Sequence, residues 1–518
     1  MLKKKSVEQK VNESNVVDNR ADITKSGGTE MPSIQPFYRV ISGDVVTTDG
    51  SSRDIIRLGD ESHQILVTGS IKSAGGGVNI IKAGSGELGY VTVTGWLESK
   101  DGQNSILLGD GKKYITIKAG LVADQHGLNE IRTGLGHTEV TVSQSLQAAN
   151  GGVNQIVAGG EAKILIVGDI SSQSSLNEIS VGKGNNTFGF NGGMQTSHGV
   201  NRISTGGGRD RITMLGGLDA ESGTNSIVLG DGEKYVQIGH GLSAREGGLN
   251  EFIAGAGHTF LLIETDVSAV NDSSNRIVSA GEAKIDITGR LSSQAGVNEI
   301  LTGDGNDSVT INNGLHANNG VNHISTGEGS DHVIVNSIVE AAAGGKNSID
   351  TGNGDDIIEL NGHIGSGALQ INAGAGEDTL VLRAGDSSQF NDYYGDWLAD
   401  LWNNGGLASA GLENITVRLE SSASLDQLDW LARLIDQYNG THQDAQIHLE
   451  VDAAQSFSFS DLFVQEDSNT IAGSALASAE TGEVSAFAAV DASAFFQNSL
   501  YNPVEDILVQ AGLDLTVA

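Results

Sequence analysis

Apolar and polar residues alternate in short runs along most of this chain. In Asp307-Ser-Val309-Thr-Ile311 the apolar residues share one side, which predicts a strand with one face buried. Ile300 and a turn at Gly303 and Gly305 precede this run, and Leu315 follows after Asn-Asn-Gly. A polar loop then ends at Gly320. Each such unit predicts three short strands separated by bends, at which glycine permits positive φ. The unit repeats: an Asn-x-apolar-x-x-Gly-x-Gly phrase recurs with Asn at 79, 104, 129, 154, 177, 201, 225, 250, 275, 298, 322 and 347. Asp54 and Leu369 hold the equivalent place in two flanking copies, and the spacings run from 22 to 25 residues. One unit cannot bury its apolar side, whereas stacked units bury a continuous core. The expected fold is all-β, a parallel β-helix or β-solenoid of about 14 coils of ~24 residues.

A longer period lies over the short one. Asn104-Ser-Ile-Leu-Leu-Gly-Asp-Gly returns 121 residues later as Asn225-Ser-Ile-Val-Leu-Gly-Asp-Gly, and Gly160-Glu-Ala-Lys-Ile returns at Gly281. The array therefore reads as a duplicated block of five coils. Residues 1–35 are polar and aperiodic and read as a flexible leader, and Phe37 to Val46 as a strand capping the first coil. Residues 36–385 form the expected solenoid. Residues 386–465 carry apolar positions at helical spacing and three of the four tryptophans, at 397, 402 and 430. They predict a small mixed α/β C-terminal cap, which an open solenoid end needs to avoid edge pairing. Residues 466–518 form an acidic, lysine-free tail.

Composition narrows the function classes. Glycine supplies 72 of 518 residues, but only three prolines are present, which excludes collagen. There is no cysteine, hence no disulfide, thiolate metal site or catalytic thiol. The net charge of −35 repels nucleic acid and anionic membrane surfaces and attracts cations. Beyond Lys346 only Arg383, Arg418 and Arg433 oppose 27 acidic residues. No apolar run is long enough for a transmembrane segment. The basic start, Met1-Leu-Lys-Lys-Lys, lacks the apolar core of a cleavable signal peptide.

Candidate chemistry concentrates at the bends. The recurring asparagines predict a ladder of stacked amides, with a row of polar ligands as the alternative. The last turns carry Gly303-Asp304-Gly305-Asn-Asp307, Gly327-Glu-Gly329-Ser-Asp331, Gly352-Asn-Gly354-Asp-Asp356 and Gly374-Ala-Gly376-Glu-Asp378. Gly206-Gly-Gly208-Arg-Asp210 shares the pattern, while Lys113, Thr138, Lys163, Lys234, Thr259 and Lys284 are aligned to the same place elsewhere. Carboxylates stacked about 5 Å apart repel one another unless a cation lies between them. Calcium fits, since it takes carboxylate and carbonyl oxygens; the lysines argue against a metal in their coils. The alternative is ordinary Asx turns exposed to water.

These turns resemble the RTX family of hemolysin-type calcium-binding repeats, whose motif is Gly-Gly-x-Gly-x-Asp-x-apolar-x. The match departs at the first glycine, here Thr302, Thr326, Thr351 or Ala373, and in a period of about 24 rather than 9. The resemblance implies Ca²⁺ as cofactor, held at the four final turns. It also implies type I secretion through an uncleaved C-terminal signal, for which the ending Leu513-Asp-Leu-Thr-Val-Ala518 is suited. The function so implied is a secreted structural or adhesive protein of the bacterial surface or extracellular matrix, with self-association or a polysaccharide as possible partners. Catalysis has little support, because no His-Glu-x-x-His, nucleophile elbow or phosphate loop occurs. The alternative is a β-helix lyase, epimerase or polysaccharide binder, for which Arg209, Asp210 and Arg211 form the one acid–base cluster. The runs Ile164 to Val167 and Phe260 to Ile263 are apolar throughout. Strict alternation turns half of each outward, as a lateral contact; a register shift is the other explanation.

Overall fold

The computed structural model describes residues 16–18, 37–403, 410–420, 429–441 and 447–453. The chain winds through three parallel sheets of 13, 14 and 18 strands, each coil giving one strand to each sheet. The expected β-solenoid of about 14 coils is thereby found. The tail at 466–518 lies outside the described residues.

Register follows the repeat. Asn104 lies opposite both Asn79 and Asn129, so each inward position forms a column running through the stack. The isoleucine column of the fourteen-stranded sheet, with Ile106, Ile131, Ile156 and Ile179, is buried. It meets Leu97, Leu121 and Leu146 from the thirteen-stranded sheet and Val140 and Val142 from the eighteen-stranded one. The core is thus a narrow column made mostly of branched side chains, with Phe188, Phe190 and Phe252 as its aromatic members within the coils.

The asparagines settle into the amide ladder. Asn104 Nδ2 donates to Asn129 Oδ1 at 2.9 Å and also to the Glu98 carbonyl at 2.6 Å within its own coil. This pairing continues without a break from Asn79 to Asn347, as at Asn225 with Asn250 and Asn322 with Asn347. Each amide therefore fixes its own bend and couples it to the next coil. At the C-terminal end, where Leu369 replaces asparagine, Asn347 donates to the Ala368 carbonyl instead.

The eighteen-stranded sheet is extended at both ends. Val16–Asp18 pairs antiparallel with Phe37–Ile41, so part of the segment expected to be a flexible leader is a strand. Phe37–Ile41 continues in parallel onto His63–Val67. At the other end, Asn414–Leu419 and His448–Ala453 add two parallel strands to the eighteen-stranded sheet. Helices Ser387–Asn403 and Asp429–Thr441 lie between the successive strands. The first helix buries Phe390, Tyr394 and Trp397, and Trp397 Nε1 donates to the Leu369 carbonyl at 3.0 Å. The cap is therefore continuous with the last coil. No helix among the described residues is long and apolar enough to cross a membrane.

The two apolar runs keep strict alternation, with no register shift. Ile164, Ile166, Leu261 and Ile263 point inward and are buried, whereas Val167, Phe260 and Leu262 face out. Leu165 also faces out but is covered, its Cδ1 leaning over Gly189 of the next coil.

Asn225→Ala, in the middle of the ladder, should destabilise the solenoid by about 1–3 kcal/mol, because neighbouring buried amide and carbonyl groups lose their partner. Denaturant unfolding followed by circular dichroism measures this loss; an unchanged midpoint contradicts a structural role for the ladder.

Candidate cation site

One interior column carries unusual chemistry. It consists of the residue at the start of each strand in the eighteen-stranded sheet, just after the Gly-x-Gly bend. Lys113 lies opposite Thr138, Thr138 opposite Ala162, Asn186 opposite Asp210, and Asp210 opposite Lys234. Thr259 and Ala283 follow, and then Asp307, Asp331, Asp356 and Asp378. Lys163 and Lys284, expected in this column, lie one residue further on and face outward. Their turns, Gly159-Gly-Glu-Ala162 and Ala280-Gly-Glu-Ala283, are one residue shorter, so alanine takes the inward place.

The four final aspartates are inside the solenoid, at 2 %, 2 %, 1 % and 1 % exposure. The alternative of water-exposed Asx turns therefore fails. One carboxylate oxygen of each accepts the backbone N–H of the preceding coil. Asp331 Oδ1 takes the Asp307 N–H at 2.8 Å, Asp356 Oδ1 that of Asp331 at 2.8 Å, and Asp378 Oδ1 that of Asp356 at 2.9 Å. Ala283 N–H and Glu413 Oε2 close the row at its two ends. The second oxygen, Oδ2, is buried and without a hydrogen-bond partner in all four. The threonine directly after the preceding strand gives its hydroxyl proton to a carbonyl, Thr302 to that of Thr326 and Thr326 to that of Thr351, while lying near enough to offset part of the rise in the Asp307 and Asp331 carboxyls.

Burial disfavours charge on these groups. It pushes the Asp307 carboxyl up to about 7, with the Asp331 and Glu282 charges adding to the effect. Asp378 is raised to about 6, by burial and then by Asp356, Glu413 and Asp355. Asp331 and Asp356 are raised as well, burial again leading.

The same column contains an aspartate whose needs are met. Asp210 is fully buried, and its Oδ1 accepts from Asn186 Nδ2 at 2.8 Å. Its Oδ2 accepts from Thr205 Oγ1 at 2.7 Å and from Lys234 Nζ at 2.7 Å. The Lys234 ammonium also donates to the carbonyls of Gly208 at 2.7 Å and Asp231 at 2.9 Å. This bend thus surrounds a cation with one carboxylate and two turn carbonyls, contributed by two successive coils. Lys113 uses the bend similarly, donating to the Gly86 carbonyl at 2.5 Å. Sequence reasoning missed this pair, treating aspartate and lysine as separate coil types; the signal was a lysine one repeat after an inward aspartate.

By position in the turn, Gly208 corresponds to Gly305, Gly329, Gly354 and Gly376, and Asp231 to Asp304, Glu328, Asn353 and Ala375. The four final coils therefore offer the carboxylate and carbonyl oxygens of the Lys234 site but no lysine. That oxygen set fits calcium. Gly303, Gly327, Gly352 and Gly374 open the turns, and Gly305, Gly329 and Gly354 have φ of +129°, +136° and +143°. A Cβ on Gly329 or Gly354 would collide with the glycine carbonyl of the coil below, so the turn tolerates no side chain there. The Asp304 side chain is exposed and stands apart from the buried row. Among the described residues no three His, Asp or Glu side chains converge as a metal cluster. Backbone carbonyls would supply most of the ligands.

The supposed acid–base cluster does not assemble. Asp210 points inward to Lys234, whereas Arg209 is exposed beside Glu233 and Arg211 is exposed on the outer face.

Lys234→Met should destabilise the middle coils by about 3–5 kcal/mol, because it strands a buried aspartate. Adding Asp210→Asn should recover most of that loss in denaturant unfolding. The four final aspartates generate the opposite pH dependence from a salt-bridged carboxylate. A carboxyl raised above its ordinary 3.8 to about 7 stabilises the fold below its ordinary range and loses that effect as pH rises through the raised value. In chelator, the melting temperature of the C-terminal coils should fall between pH of about 4 and 7; a flat or rising profile contradicts the buried row.

No protein-family model matches this chain, and no curated protein or solved structure matches it.

Proposed function

We propose that the chain is a calcium-responsive β-solenoid of the bacterial cell surface or extracellular matrix, structural or adhesive in role and secreted rather than catalytic. The observation that carries this reading is the contrast within one column. Where an inward aspartate is followed by Lys234, its second oxygen is satisfied; at Asp307, Asp331, Asp356 and Asp378 that oxygen is left bare. Four bare carboxylate oxygens in an acidic stretch require protons or cations, and above neutral pH the cation is the stable solution. Calcium would be held by these carboxylates with the carbonyls of the adjoining turns, as ammonium is held at Asp210. A surface role agrees with the repeated flat faces of the solenoid. Low free calcium inside the cell would leave the final coils loose for export, and external calcium would consolidate them.

A second reading, binding of a polysaccharide, has one observation in its favour. Tyr90 and Tyr114 stack on the outer face with ring centroids 4.9 Å apart, beside His137 and its partners Glu139 and Glu161. Two rings make a short platform rather than a long groove, which leaves this reading second.

Hydrogen exchange with and without calcium tests the proposal. Ion a hundredfold above its Kd adds about 2.7 kcal/mol to the folded form. Protection should rise across residues 300–385 and in the cap, and remain level in the coils around Lys113 and Lys234. Asp331→Asn, between two acidic neighbours, should weaken calcium binding measured by calorimetry more than Asp378→Asn. Unchanged exchange in millimolar calcium would show that the row is held by protons alone.

A further inference from the structure

Inward positions of the three sheets are constrained alike, but their outward faces differ. Along the thirteen-stranded sheet one outward column reads Gln147, Ser171, Gln195, Asp219, Ser243, Ser268, polar throughout. The fourteen-stranded sheet is different. Its first outward column includes Leu128, Val153, Leu176, Val200 and Leu249, and its third includes Val157, Val228, Ile253, Val278 and Leu301. Neighbours in the stack cover these side chains only in part, and Val297 is 41 % exposed. Between the apolar columns runs a charged one: Glu178, Arg202, Ser226, Glu251, Arg276 and Glu299. Such a face, two apolar stripes with both signs of charge between them, has the makeup of an interface.

The order of residues identifies the occupant. We infer that the fourteen-stranded sheet packs face to face on the same sheet of a second copy, antiparallel, with the two-fold axis at the strand Thr224–Leu229. Centring on Ser226 sets Arg202 against the other copy's Glu251, and Glu178 against Arg276. In the third column Ser204 meets Ile253 and Ser180 meets Val278, so two small positions receive large ones, while Val157 meets Leu301 and Val228 meets its own copy at the axis. In the first column Val200 meets Leu249 and Val153 meets Val297. Sliding the copy by one coil opposes Glu178 to Glu251 or Arg202 to Arg276. A parallel copy opposes each charge to itself. The antiparallel register on Ser226 is free of like-charge pairs along this column and sets both of its arginines against glutamates, whereas like charges so placed cost several kcal/mol.

Two further facts agree. Arg202 is exposed and has no ion pair among the described residues, whereas Arg276 bridges Glu251 and Glu299. The second copy brings Arg202 the carboxylate it lacks. Nine strands, from Leu128–Thr133 to Val321–Ser325, present about 800 Å² per copy from strand spacing and length, the size that stable association needs. This contact lies on another face from the aspartate column and stands whether or not calcium binds there.

Trans-complementation tests it on the full chain, in chelator and in millimolar calcium alike. Light scattering should give twice the chain mass of 53.6 kDa for the natural sequence at tens of micromolar. Arg202→Glu and Glu251→Arg should each abolish the dimer, because each opposes like charges. Mixed in equal amounts, the two variants should associate again, since every opposed pair across the mixed interface is then complementary. A monomeric natural protein overturns the inference, as does a mixture that stays monomeric while each variant keeps its native circular dichroism. Should either variant lose its fold, Thr224→Cys decides the matter in this cysteine-free chain: a short thiol-reactive bis-maleimide, long enough to span the ~10 Å between facing sheets, should join it into a covalent dimer at the axis, while Ser243→Cys on the polar sheet should not be joined. Equal cross-linking by both, or by neither, overturns the inference.

Discussion

Every inward residue of this protein has to be acceptable to the residue directly above it and the one directly below, about 4.8 Å away. The buried asparagine ladder satisfies that constraint most completely. An amide both donates and accepts, so identical side chains in a column complete one another, and the remaining N–H fixes the local bend. A hydroxyl meets the condition only in part and a carboxylate does not meet it at all, having no proton to give. The apolar columns meet it through shape, since a branched side chain stacks on its copy without leaving a void. The twelve asparagines and the isoleucines that follow them therefore define the fold, and the rest of each coil is free to vary around them.

The same constraint explains why the column behind the glycine turns is chemically restless. Carboxylates stacked in that column each satisfy the neighbouring backbone with one oxygen and leave the other bare. At Asp210 the next coil provides a lysine, and the turn carbonyls that close round its ammonium show what the bend can hold. Elsewhere threonine, alanine or asparagine avoids the difficulty. In the last four coils no lysine takes the next place in the column, and burial with the neighbouring carboxylates raises the carboxyl groups. A buried charge without a partner draws in whatever proton or cation the surroundings supply.

Much of this was legible in the sequence because the solenoid repeats its instructions. Period, strand count per coil and the amide ladder follow from the spacing of Asn79 to Asn347 and the alternation around Val309 and Ile311. The cap was legible as helical spacing near Trp397, though its two strands joining the sheet were not, since they extend a ladder only the fold reveals. The inward direction of Asp307 was also hidden. A turn motif reads as exposed, and one residue decides whether its last member points in or out, as Ala162 and Lys163 show. The leader strand at Val16–Asp18 has no repeat to announce it, and its pairing depends on an edge formed by residues more than twenty positions away.

What the inward columns fix, the outward columns leave open, and each face fills that freedom differently. A chain with a net charge of −35 resists association in general, because long-range repulsion acts before any contact forms. A specific contact on such a molecule has to be one where charge is locally balanced and apolar area is large. The fourteen-stranded sheet meets both conditions, with arginines set among its glutamates and valine, leucine and isoleucine stripes beside them. The thirteen-stranded face, whose outward column is polar from Gln147 to Ser268, meets neither. Since all three sheets are built from the same parallel coils, the inward columns do not set the difference between their outer faces.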